Sequence, residues 1–175
     1  MPNETTADGG PLAVSLGECK AFLRLERDDD DALLAGFIRT AMALCEAFVG
    51  QWLIVRDGEQ RLAAGNGWQR LAAVPVMSIA GIVTADGPVA GSEFESAIDA
   101  AGIGWVRLGA VGAIEPRVAF TAGLGADWNG IPEPLRQGII RLVAHLYTHR
   151  DAADAGPPPT AVAAMWRPWR RLRLV

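Results

Sequence analysis

The sequence predicts an α+β fold in which helices from the N- and C-terminal parts pack together around an inserted antiparallel β section. Apolar residues recur at helical spacing in the first 50 residues and again after residue 130. Between these parts, short apolar runs alternate with glycine, proline and Asp-Gly pairs, a pattern typical of strands and turns. We therefore expect a flexible arm (residues 1–10), one domain (11–150) with its β section at about 52–122, and an extended C-terminal tail (151–175).

Two helices are expected at the start of the domain. Ser15 and Glu18 form a capping-box pattern, which predicts a first helix that ends near Leu25. Four aspartates, Asp28–Asp31, suit the N-terminus of the second helix, where negative charge is favoured, and Gly50 suits its left-handed end. The apolar positions of both helices are expected in the core: Leu16, Cys19, Phe22, Leu23, Leu33, Leu34, Phe37, Ile38, Ala41, Leu44, Cys45, Phe48 and Val49.

The β section carries six candidate strands separated by turn signals. Asp57-Gly58, Gly65-Asn66-Gly67 and Asp86-Gly87 supply the turn chemistry. The candidate strands are Trp52–Arg56, Trp68–Leu71, Met77–Thr84, Phe94–Ile98, Trp105–Leu108 and Arg117–Thr121.

A central helix is predicted over Pro132–Arg150. Its two prolines fall in the first turn, where a helix tolerates proline. One wide apolar stripe runs down its face and should organise the packing of the other helices. The stripe consists of Leu135, Ile139, Leu142, Val143, Leu146 and Tyr147.

Composition excludes several classes of protein. The 175 residues carry a formal net charge of -4, which argues against a dedicated binder of duplex DNA. The polar N-terminus does not resemble a signal sequence, and no apolar run is expected to reach the roughly 20 residues of a membrane helix. We expect a protein made in the cytoplasm with no membrane partner. Its two cysteines, Cys19 and Cys45, are expected to be buried thiols.

The sequence contains one weak candidate for a reactive site. His145 and His149 are spaced so that one helix face could present both imidazoles to a metal. The first histidine is followed by Leu146, where the zinc-protease motif needs glutamate, and no third ligand is evident. We therefore expect no catalytic, cofactor or metal site, and keep a small metal-dependent hydrolase as an alternative.

The C-terminal tail alternates large apolar groups with arginines, and these residue types are enriched at protein interfaces. A protein-docking role is favoured, because the sequence shows no basic surface elsewhere. The alternative is a nucleic-acid-binding module in which Trp166 and Trp169 stack on bases. The candidate docking residues are Trp166, Arg167, Trp169, Arg170, Arg171 and Arg173.

The order of elements resembles the head–tail connector (adaptor) proteins of long-tailed bacteriophages and gene transfer agents. The resemblance runs from Pro11 to about Arg173 and depends on a series of segments. These are Pro11–Arg24, the acidic Asp28–Asp31, Glu46–Gly50, Val118–Gly123, Ile131–Gln137 and Ala144–Arg150.

This resemblance implies a structural role at the head–tail junction of a particle. Such adaptors form a ring, expected to be twelvefold, beneath the portal protein. The ring extends the channel through which DNA passes without specific binding, and presents a platform to a head-closure (stopper) or tail component. The tail would then dock on the portal. Asp28, Asp29, Asp30 and Asp31 are a hypothetical part of the channel lining, since acidic groups repel phosphates.

Overall fold

The computed structural model describes residues 12–63, 65–85, 87–109, 115–150 and 159–171. The chain divides into two compact units. Within the described residues, a helical unit contains residues 12–54 and 125–171, and a β unit contains residues 55–124. The flexible arm expected at residues 1–10 lies outside the described residues. Residues 159–171, which the sequence analysis assigns to a docking tail, belong to the helical unit.

The helical unit contains four described α-helices: α1 (Leu16–Leu23), α2 (Asp31–Val49), α3 (Glu133–Thr148) and α4 (Thr160–Trp166). α3 packs against each of the other three, as expected for a central helix. Its buried residues recur at helical spacing and form the middle of the core: Leu135, Gly138, Ile139, Ile140, Leu142 and Val143.

The helix ends follow the local sequence closely. The Ser15 hydroxyl accepts a hydrogen bond from the Glu18 amide at 3.1 Å, and the Glu18 carboxylate accepts one from the Ser15 amide. This confirms the capping box. Gly50 ends α2 with a φ of 69°, the left-handed conformation that favours glycine.

The expected core of α1 and α2 is only partly correct. Leu34, Ile38, Ala41, Cys45 and Val49 of α2 are buried. Phe22, Leu33 and Leu44 are instead exposed, each by 40% or more of its surface. For Leu33 and Leu44, the reason is that α2 is apolar over more than one face, and a helix can turn only one stripe toward α3.

The length and composition of α2 correct a second expectation. Its 19 residues are apolar enough to cross a membrane by length and composition alone, contrary to the sequence analysis. A core helix of a soluble domain passes the same test, so this property is weak evidence for a membrane. α2 packs against α3 along the stripe that contains Leu34, Ile38 and Cys45.

The β unit is antiparallel and forms two sheets. One has the strand order β1-β7-β3-β4 and the other β2-β6-β5, and β3 also packs against β5. The strands are β1 (Arg56–Arg61), β2 (Gln69–Arg70), β3 (Val76–Thr84), β4 (Gly87–Pro88), β5 (Phe94–Ile98), β6 (Gly104–Leu108) and β7 (Arg117–Ala122). The α+β fold class predicted from the sequence is confirmed.

The first strand lies later in the chain than the sequence predicts. Asp57-Gly58, expected to be a turn, lies inside β1, opposite Thr121 and Phe120 of β7. The Thr121 hydroxyl donates a hydrogen bond of 2.8 Å to the Asp57 carboxylate, so a turn-forming side chain is satisfied across the sheet. Ile54, expected in that strand, instead makes an isolated parallel bridge to Gly125 within the helical unit.

A close contact between Gly138 of α3 and Trp166 of α4 joins these two helices. A β-carbon added at Gly138 would lie 2.0 Å from the indole nitrogen of Trp166. The same nitrogen donates a hydrogen bond to the Leu135 carbonyl at 3.3 Å. Gly138 therefore provides the space that lets the indole ring reach the α3 backbone.

We expect Gly138→Ala to lower the free energy of unfolding by about 1–3 kcal/mol, the usual cost of overpacking, despite the better helix propensity of alanine. Urea denaturation followed by circular dichroism measures this change. Gly36→Ala in α2 is the matched control, because no atom of the described residues beyond the helix's own neighbouring backbone lies within 4 Å of the added β-carbon. It should be neutral or stabilising by up to about 1 kcal/mol. Equal stability of the two variants would contradict the packing role of Gly138.

Candidate functional site

The acidic run lies at the junction of α1 and α2, where most of it has partners in the helical unit. The Lys20 ammonium donates hydrogen bonds to the carboxylates of Asp28 and Asp31, the latter at 2.8 Å. The Tyr147 hydroxyl donates one to Asp30. Asp29 differs, because its side chain is 82% exposed and lies 3.8 Å from Arg27. Three of the four aspartates therefore help to hold the junction together.

The hydrogen bonds at this junction shift the pKa values of the groups involved. Those with Asp28 and Asp31 raise the pKa of Lys20 above its ordinary value. The hydrogen bond from Lys20 lowers the pKa of Asp28, since it favours the ionised carboxylate. The hydrogen bond to Asp30 raises the pKa of Tyr147. Each shift favours the protonation state found near neutral pH.

Arg136 joins α1 to α3 in a second polar cluster that the sequence analysis missed. Its guanidinium lies 2.5 Å from the Glu18 carboxylate and 3.3 Å from the Glu133 carboxylate. It also lies 4.7 Å from the centre of the Trp128 ring, within range of a cation–π interaction. Glu18 is 118 positions from Arg136, so no local pattern could reveal the pair. The Arg136 and Glu18 side chains are largely covered, and their ion pair positions α1 on α3.

The first tryptophan of the predicted docking tail lies in the core. Trp166 is only 4% exposed, and its ring centre lies 5.9 Å from that of Phe48 on α2. Its indole N–H is already bonded to α3 through the Leu135 carbonyl. Trp166 therefore anchors α4 to the helical unit in this structure. Its assignment as a docking residue stays a prediction that would need α4 to move.

The residues after Trp166 are fixed to the C-terminal end of α2. The Gln51 side chain donates a 2.7 Å hydrogen bond to the Trp169 carbonyl, and the Arg171 amide donates one of 2.9 Å to the Val49 carbonyl. Arg167 and Arg170 are exposed, and the Arg170 guanidinium lies 5.7 Å from the centre of the Phe48 ring. Arg173 lies outside the described residues. The structure thus presents two exposed arginines on an ordered backbone.

The two histidines lie close together near the end of α3. Their ring centres are 4.3 Å apart, and the His149 Nδ1 lies 2.9 Å from the His145 carbonyl oxygen, in hydrogen-bond range. Among the described residues, no group of three or more histidine, cysteine, aspartate or glutamate side chains is arranged to hold a metal ion. This pair therefore acquires no third ligand from that part of the chain.

The cysteines are confirmed as buried thiols within the helical unit. Burial raises the pKa of Cys19 to about 12 and raises that of Cys45 as well. Both are therefore held in the protonated form, which is the unreactive one.

Comparison with solved structures finds proteins of gene transfer agent (GTA) particles, two of them from structures of the neck. One, from the neck of an empty particle computed with C6 symmetry, is 29% identical with a TM-score of 0.76, and the match covers 100% of this chain and 98% of the other. A second, from the virion of a native particle, is 26% identical with a TM-score of 0.76 and coverage of 98% and 97%. A third, from a native neck computed with C12 symmetry, is 26% identical with a TM-score of 0.75 and coverage of 100% and 98%. No family model and no curated protein matches the sequence.

These matches cover both the helical and the β parts of the chain, so the similarity is not limited to a short motif. The resemblance to the head–tail connector family is confirmed. The matches support a structural head–tail connector role. They do not support the nucleic-acid-binding module or the metal-dependent hydrolase that the sequence left open.

The α1–α2 junction of this connector gives a prediction that depends on pH. Asp28 has a lowered pKa when folded, so its stabilising effect is present above the unfolded pKa of about 4 and is lost as the pH falls through the folded value. Lys20 has a raised pKa, so its effect is present below about pH 10 and is lost at higher pH. We expect Lys20→Met to destabilise the protein at pH 7, and to destabilise it less at pH 2.5.

Urea midpoints of the wild type and the variant at both pH values measure this difference. Arg27→Met is the control, because the Arg27 side chain is 90% exposed and its contact with Asp29 is long. It should leave the midpoint nearly unchanged at both pH values. An equal loss for Lys20→Met at pH 7 and pH 2.5 would show that the carboxylates do not contribute.

Proposed function

We propose that this protein forms a ring beneath the portal of a phage-like particle, extends the DNA channel and presents a platform to a head-closure or tail component. The observation that carries the proposal is the full-length match to neck proteins, two of them from structures computed with C6 and C12 symmetry. A closed ring of like subunits follows from such symmetry. The proposed role is mechanical and needs no catalytic group.

The portal-facing surface is assigned to the exposed arginines after α4. Arg167 and Arg170 project from a backbone that Gln51 and Val49 hold against α2. A surface ordered before binding loses less conformational entropy on docking than a flexible tail does. Two arginines on such a surface fit an acidic face of the portal. Trp169, which is half-buried, lies between them in sequence and adds apolar contact.

The channel-facing surface is assigned to the acidic junction of α1 and α2. Asp28 and Asp29 are the most exposed members of the run, with side chains 87% and 82% exposed. Carboxylates on a channel wall repel DNA phosphates and so prevent tight binding of the passing duplex. The net charge of -4 is consistent with this surface.

We expect Arg167→Glu combined with Arg170→Glu to weaken binding to portal rings from the same genome by tenfold or more, on the order of 1–3 kcal/mol per lost charged contact. Co-sedimentation with purified portal rings measures the binding. These substitutions keep Trp166, whose removal would disrupt the core. Arg141→Glu, a single charge reversal on the exposed side of α3, is the control and should bind normally.

The possible outcomes distinguish the proposed connector role from the proposed portal-binding surface. Wild-type protein that fails to co-sediment would contradict the connector role. Normal binding of the double variant would keep the role and place the portal contact elsewhere. Equal weakening by Arg141→Glu would indicate a general charge effect rather than a local surface.

We expect neutralisation of the acidic run to slow DNA ejection. Asp29→Asn is the cleanest single change, because Asp28, Asp30 and Asp31 also hold the fold. Particles carrying this variant should assemble normally and release DNA more slowly, as followed by fluorescence of a DNA-binding dye. Glu59→Gln on the exposed side of β1 is the control. Unchanged release by Asp29→Asn would remove this residue from the channel lining.

A further inference from the structure

α2 carries a second, mostly apolar stripe whose residues are exposed or half-buried. Leu33, Phe37, Thr40, Leu44 and Ala47 recur every three or four residues and therefore share one face of the helix. Leu33 is 40% exposed and Leu44 is 45% exposed, while Phe37 is half-buried. We call these five residues the outer stripe. It extends over about 21 Å at the helical rise of 1.5 Å per residue.

The outer stripe contains no charged residue. α2 has three charged side chains in all: Asp31, Arg39 and Glu46. Asp31 pairs with Lys20, and the Glu46 carboxylate accepts a hydrogen bond from the Leu53 amide at 2.8 Å. A helix that is apolar on more than one side is normally covered on more than one side. Within the described residues, α2 packs against α1, α3 and α4, yet Leu33 and Leu44 remain exposed.

We infer that the outer stripe of α2 is a contact between neighbouring copies of this chain in the ring, an inference that rests on the proposed function. In a closed ring each subunit is flanked by two others, so a lateral apolar face is covered only on assembly. C6 and C12 symmetry in the similar necks supplies such neighbours. The length and lack of charge of the stripe suit the centre of a subunit interface, where charged residues are depleted.

Two other partners for the outer stripe, a lipid bilayer and the portal, fit the structure less well. A bilayer would have to surround α2, but the opposite side of α2 is packed on α3, whose exposed residues include Glu133 and Arg141. The portal is assigned to the arginines beyond the C-terminal end of α2, whereas the stripe runs along the length of the helix. A second copy is therefore the occupant that both the charge pattern and the symmetry favour.

Ring symmetry also determines what the outer stripe can contact. If two outer stripes paired with each other, the contact would be twofold and would close as a dimer. A ring instead needs a heterologous contact, in which the stripe of one copy meets a different face of the next. The outer stripe is thus one half of the interface, and the other half is a different surface of the same chain.

Photo-cross-linking of full-length protein on portal rings tests this directly. With p-benzoylphenylalanine in place of Leu44, irradiation should give a covalent species of twice the subunit mass, and mass spectrometry of its peptides should locate the cross-link outside the outer stripe. The same amino acid in place of Arg141 is the control and should give little of this species. A cross-link to the portal subunit or within one chain would overturn the inference, and so would one between two outer stripes.

A charge placed on the stripe gives an independent test. Leu44→Glu should raise the concentration needed for half-occupancy of portal rings by about tenfold or more, because a buried carboxylate replaces an apolar contact. Electron micrographs of the Leu44→Glu protein should then show portals that carry only a few subunits. With wild-type protein, each portal should carry either a complete ring or no subunits. Leu44→Met is the apolar control, and an unchanged melting temperature shows that the exposed site tolerates glutamate.

Different results would contradict the proposed function and the inference about the outer stripe. Wild-type protein that does not bind portals would overturn the proposed function and this inference together. Wild-type rings with equally complete Leu44→Glu rings would overturn the inference alone. Leu44→Glu protein that forms complete rings without a portal but no longer binds one would assign the stripe to the portal, which also overturns it.

Discussion

The contact between Trp166 and Gly138 determines how the C-terminal part of this connector is arranged. The indole ring occupies the space left by the missing side chain and donates its N–H to the Leu135 carbonyl of α3. Burial of such a large ring, together with its hydrogen bond, fixes α4 on the central helix. The following residues are then close enough to α2 for Gln51 to bind the Trp169 carbonyl. The arginines become an ordered surface because one tryptophan is part of the core.

Packing within the helical unit also explains why α2 has exposed apolar residues on a second stripe. α3 can cover one stripe of α2, and that stripe contains Leu34, Ile38 and Cys45. A sequence selected only for the isolated subunit would place polar residues on the opposite stripe. α2 instead keeps Leu33 and Leu44 there, at a cost in exposed apolar surface. A ring-forming protein recovers this cost on assembly, since its subunit is never the final state.

Local signals in the sequence predicted local structure well. The Ser15–Glu18 capping box and the left-handed Gly50 depend on neighbouring residues, and both were predicted correctly. Asp57-Gly58 is a turn signal in the sequence but lies inside a strand. The Asp57 carboxylate accepts a hydrogen bond across the sheet from a residue 64 positions away, which local sequence does not reveal. Periodicity identifies every buried position of α2 but does not tell which stripe faces the core, so Leu33 and Leu44 were wrongly expected there. Trp166 was assigned to the tail because only its distant partner, Gly138, shows that it is buried.

Acidic and basic residues lie at opposite ends of α2 in the helical unit. The aspartates lie at the N-terminus of α2 and the ordered arginines at its C-terminus, about 27 Å apart at the helical rise of 1.5 Å per residue. Each group favours its end of the helix dipole, so folding alone accounts for part of this arrangement. Yet the dipole does not require Asp29, Arg167 and Arg170 to be exposed. Stability therefore explains the paired charges, and the exposed ones are available for a negative wall and a positive docking surface in one subunit.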